Sequence, residues 1–113
     1  VLTHAHLDHC GLLPRLHAEG FTGPVYATPA TRDLCGVMLP DSAHVLKVEA
    51  DRAVKAGREP AVPYDMDEAH AVLAQLEPVP YRHAFSPAPG MTATLHDAGP
   101  ILGSALVELR LED

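Results

Sequence analysis

The chain has 113 residues, enough for one compact domain with a buried core. Its hydrophobic fraction of 47% is ordinary for a globular protein, and no apolar run approaches the length of a membrane span. The formal charge is −7, from 15 acidic and 8 basic residues, and such a surface does not attract a phosphate backbone by itself. An autonomous nucleic-acid-binding module is therefore disfavoured.

Val1-Leu2 reads as the end of a strand, and residues 3 to 9, THAHLDH, as a loop. Leu12, Leu13 and Leu16 share one helical face up to a stop at Gly20, with Pro14 tolerable in the first turn. Val25-Tyr26-Ala27 predicts a short buried strand. Thr28-Pro29 marks a helix start, an N-cap followed by proline at the first helical position. The helical pattern runs to about Met38, breaks at Leu39-Pro40, and resumes from Asp41 to about Ala56, with Gly57 as the stop.

Residues 58 to 64 form a proline-rich connection. Asp65 and Glu68 make a capping-box-like start, and Ala69, Val72, Leu73 and Leu76 give the following helix an apolar face. Turns surround a short extended piece at Arg82 to Phe85. Met91 to Leu95 predicts a strand, HDAGPILG a loop, and Ala105 to Leu111 a second strand with Val107, Leu109 and Leu111 on one face. This order predicts a layered α/β domain. The first residue is Val1, and both ends read as strands in progress, so the expectation is a fragment truncated at both ends. Cys10 and Cys35 fit no disulfide framework and are expected as reduced thiols.

The chemistry is concentrated in THAHLDHCG, which places His4, His6, Asp8 and His9 within six positions. In extended backbone His4 and His6 point to one side. Asp8 and His9 follow where the chain turns into a helix, so they can face a second point nearby. Imidazole and carboxylate suit zinc. Two ions sharing a water is a common arrangement for hydrolysing phosphoryl or acyl groups. Cys10 is expected to be a small apolar residue opening a helix, and His17, His70 and His83 to be solvated. For His44 a capping or packing role is expected ahead of a place near the active-site cleft. Gly99, Gly103 and Ser104 are expected to shape the loop beside the metals.

THAHLDHCG reads H-x-H-x-D-H and resembles the signature of the metallo-β-lactamase superfamily. GLLPRL, GFTGPVYATPAT, DSAHV and HDAG-x-ILGSALVEL resemble its β-CASP branch of RNA-processing nucleases. The resemblance covers nearly the whole chain. It implies a four-layer αββα sandwich, of which residues 1 to 113 supply a partial metallo-β-lactamase domain, with a β-CASP domain elsewhere. It also implies a zinc-dependent RNA phosphodiester hydrolase holding two zinc ions. His4 and His6 would bind the first, and Asp8 and His9 the second, with Asp8 also the catalytic residue that orients the attacking water. The implied partner is RNA, engaged through regions outside this chain. No membrane is expected; a homodimer is open, and the expected location is cytoplasmic.

One position departs from the pattern. The family loop reads G-H-x-x-G-S, and its histidine is a further ligand of the first zinc, whereas this chain carries Gly99-Pro100-Ile101-Leu102-Gly103-Ser104. Proline offers no side-chain donor atom. His96 is the nearest substitute. Three readings stay open: a nuclease with a weakened or single-metal first site, a metal-poor paralogue kept as a partner or scaffold, or a one-base error in a histidine codon.

Overall fold

Thr28 caps a helix much longer than its local pattern suggests. In the computed structural model, which describes residues 1–99 and 101–112, the chain forms four helices and four strands. In order they are α1 (Leu7–Cys10), α2 (Leu13–Ala18), β1 (Val25–Ala27), α3 (Pro29–Lys55), α4 (Met66–Leu73), β2 (Leu76–Pro78), β3 (Met91–Asp97) and β4 (Ala105–Leu111). The strands make two small sheets, β1 parallel to β2 and β3 antiparallel to β4. This is an α/β domain.

Helix α3 corrects the expected break at Leu39-Pro40. The Thr28 hydroxyl accepts from the Thr31 amide at 3.3 Å, Pro29 occupies the first turn, and the helix then runs unbroken for 27 residues with Pro40 inside it. Proline removes one hydrogen bond and crowds the carbonyl four residues earlier, which here belongs to Gly36. Packing outweighs that penalty. Thr31, Cys35, Leu39 and Ala43 recur every four residues, all buried, so one stripe crosses Pro40 without interruption. Leu39 is fully buried at the centre of this stripe. Leu39→Ala is expected to lower stability by about 2–5 kcal/mol, measured by urea unfolding; a loss below about 1 kcal/mol would remove the case that this stripe holds the helix across Pro40.

Cys10 of α1 meets Cys35 of α3 in the same core, both as buried free thiols. Their hydrogen bond and their burial push Cys35 well above the ordinary thiol range. Helix α4 starts where expected, with the Asp65 carboxylate accepting from the Glu68 amide at 2.9 Å. Leu76, expected on that helix's face, instead begins β2, paired with Val25. Leu76 is buried either way, and the parallel pairing to β1 decides its backbone.

The segment before α1 joins the two sheets. The Leu2 amide donates to the Tyr26 carbonyl at 2.8 Å on β1, and the Ala105 amide of β4 donates to the Thr3 carbonyl at 2.8 Å. On the β3–β4 side, the Tyr81 hydroxyl donates to the Ser104 carbonyl at 2.7 Å. Burial and then the Asp97 carboxylate raise the Tyr81 pKa, which keeps that donor protonated. The expected apolar face of β4 is covered only at its start. Ala105 is buried and Val107 half-buried, while Leu109 and Leu111 are exposed.

Candidate metal centre

His4 and His6 leave the sheet junction in extended backbone; His6 has φ −74° and ψ 142° and caps α1. The His9 and Cys10 amides both donate to the His6 carbonyl at 2.9 Å, closing the single turn that follows. That turn, where sequence predicts loop to residue 9, brings the His9 ring against that of His4. The His4 and His6 ring centroids lie 5.0 Å apart, edge to face, and those of His4 and His9 lie 4.0 Å apart. The three imidazoles thus form one cluster with His4 in the middle. Asp8 joins through His9, its Oδ2 3.6 Å from His9 Nε2.

His4 Nδ1 is 2.8 Å from the Thr3 hydroxyl. With Nδ1–H donating to that oxygen, Nε2 keeps its lone pair, the arrangement that fixes a metal-binding histidine. The pKa of His4 is lowered, first by desolvation and then by His9 and His6, with Asp8 opposing. A lowered pKa favours the neutral ring, the form that binds metal. In kind these donors fit zinc. Among the described residues, however, no three His, Cys, Asp or Glu side chains converge as ligands around one point.

The remaining histidines lie elsewhere. His96 Nε2 is 3.5 Å from Glu108 Oε2, across the β3–β4 ladder. His44 lines a separate cavity of about 460 Å³ with Lys47, Tyr64 and Met66. His17 Nδ1 bonds Gln75 at 2.5 Å rather than standing free in solvent. Position 100, where the ligand histidine of the resemblance would fall, lies outside the described residues.

The loop between β3 and β4 faces the histidines across a cavity of about 420 Å³ lined by Thr3, His4, His6, Ala98, Ile101, Ser104 and Ala105. The expected shaping role of its glycines is visible at Gly103, whose φ is +82°. Its carbonyl accepts from two buried hydroxyls, Thr28 at 2.6 Å and Thr31 at 2.9 Å. Among the described residues the buried Ser104 Oγ has no partner. Sequence reading assigned Thr28 only to the helix cap and gave Thr3 and Thr31 no role. A hydroxyl that reaches over seventy residues along the chain leaves no local signal.

No protein-family model matches the chain. It is 38% identical to the transcription termination factor FttA of Methanocaldococcus jannaschii over 98% of its own length. It is 39% identical to that of Methanosarcina mazei over its whole length, and 38% to that of Pyrococcus horikoshii over 98%. The chain spans 16% of the length of each of these relatives. Among the described residues, no helix is long and apolar enough to cross a membrane.

Proposed function

We propose that the chain is the metal-motif part of a zinc-dependent RNA phosphodiester hydrolase of the metallo-β-lactamase/β-CASP type. The observation that carries this reading is the clustering of His4, His6 and His9, with rings 4.0–5.0 Å apart, on an H-x-H-x-D-H motif. The similarity to proteins named as transcription termination factors supports a substrate handled during transcription, which is RNA. In this reading residues 1 to 113 contribute to a four-layer αββα sandwich.

His4 and His6 would hold one zinc, and Asp8 and His9 a second. When bound, the ions supply Lewis-acid polarisation of a phosphoryl oxygen and activation of water. The chain's own groups do the rest. The Thr3 hydroxyl engages His4 Nδ1, and the exposed Asp8 carboxylate would orient the attacking water. The chain's charge of −7 assigns the RNA-binding groove to regions beyond these residues. We assign the protein to the cytoplasm on the same reading.

A second reading is a non-catalytic, metal-poor partner subunit. Pro100 favours it, because the first zinc then lacks one protein ligand. Metal analysis of the full-length protein, with cleavage of a labelled single-stranded RNA, separates the two; residues 1 to 113 in isolation are expected to be inactive. The hydrolase reading expects bound zinc and cleavage that chelation abolishes and added zinc restores. Pro100→His is expected to tighten zinc binding by at least about tenfold. Cleavage by Pro100→His alone, with none by the natural chain, would establish the partner-subunit reading.

A further inference from the structure

We propose that Thr28 and Thr31, at the start of α3, are positioning residues for His4, acting through the backbone of the β3–β4 loop. The inference rests on the metal-binding reading above. Both hydroxyls donate to the Gly103 carbonyl, at 2.6 and 2.9 Å, and both threonines are at most 2% exposed. Two residues on, the Ala105 amide donates to the Thr3 carbonyl at 2.8 Å, and the Thr3 hydroxyl sits 2.8 Å from His4 Nδ1. Each link is short, and the first is buried. The path therefore runs from α3 to His4 Nδ1, whose engagement by Thr3 leaves Nε2 as the ring position open to a ligand.

A helix cap alone does not require this arrangement. Thr28 already serves the cap by accepting from the Thr31 amide, and the Thr31 hydroxyl has no part in that bond. Among the described residues its partner is the loop carbonyl. Thr31 fixes where Gly103 stands, and Gly103 fixes the approach of Ala105 to Thr3. Loosening the carbonyl lets Thr3 turn, and His4 then samples both tautomers. Outer groups that orient metal-binding histidines change metal affinity by roughly 10–100-fold.

The test uses Thr31→Val, which keeps the shape and removes the hydroxyl, and Thr31→Ser, which keeps the hydroxyl. Ring-nitrogen NMR of His4 in the metal-free full chain is expected to show one tautomer in the natural protein and in Thr31→Ser, and a mixture in Thr31→Val. Zinc affinity by chelator competition is expected to fall by about tenfold or more in Thr31→Val and to recover in Thr31→Ser. A lower melting temperature with an unchanged His4 tautomer and unchanged zinc affinity would overturn the proposal. Should Thr31→Val not fold, Thr31→Ala also removes the hydroxyl and carries the same readouts; an unchanged tautomer and zinc affinity there also overturn it. A tautomer that responds in a chain that binds no zinc would sink the metal reading and leave the positioning role standing.

Discussion

Gly103→Ala is expected to destabilise the chain by about 3 kcal/mol or more, seen as a large fall in the urea midpoint. Two separate effects add. At φ +82° an alanine carries left-handed strain of roughly 1–2 kcal/mol. Its Cβ would also stand 2.7 Å from the Thr31 amide nitrogen, 2.8 Å from the Thr31 hydroxyl and 2.9 Å from Ala30 Cβ. These atoms belong to the first turn of α3, which cannot yield without disturbing the helix start. If the loop yields instead, its carbonyl leaves the Thr28 and Thr31 hydroxyls unpaired in the interior, at about 1–3 kcal/mol each. Gly99→Ala is the control. Gly99 has φ +86°, but nothing lies within 4 Å of the added carbon, so only the conformational part remains. Equal losses at the two positions would show that steric contact with α3 contributes nothing.

Gly103 also marks the limit of what can be read from the chain alone. Thr28-Pro29 and Asp65 with Glu68 were legible as helix starts because an N-cap acts over three residues. Val25–Ala27 and Ala105–Leu111 were legible because alternation and flanking turn residues are local too. Pro40 misled for the converse reason. A local rule stops the helix there, and the buried stripe from Thr31 to Ala43 overrides it with contacts to distant parts of the core. Strand β2 was missed because its partner Val25 lies far back along the chain, and three residues carry too short a pattern to announce it. At the site, spacing placed His4, His6, Asp8 and His9 on one short segment. It did not reveal that His9 approaches His4 more closely than His6 does, because that depends on the one-turn helix closing on the His6 carbonyl.

His4→Ala is expected to remove zinc from the first position while leaving the metal-free chain as stable as before or slightly more so. The ring is one of the two donors that this chain offers the first zinc, so its loss leaves His6 alone there. Affinity should fall by more than the roughly 10–100-fold caused by losing an outer partner. The fold has little stake in the ring. Among the described residues its one hydrogen bond is to Thr3, a half-buried neighbour, and His6 and His9 are exposed. The sign of the pH effect follows from the lowered His4 pKa. The unfolded chain binds that proton more readily, so the natural protein loses stability as pH falls through the ordinary imidazole range and recovers it above. His4→Ala removes this contribution, and its unfolding midpoint should vary less between pH 5 and pH 7. Calorimetric zinc titration at neutral pH and urea unfolding at both pH values measure the two halves. Undiminished zinc binding in His4→Ala would place the metal away from the cluster, whereas lost binding accompanied by a large loss of stability would make His4 a structural residue first. Preserved folding with lost zinc is the combination that a ligand at the surface of a finished core must give.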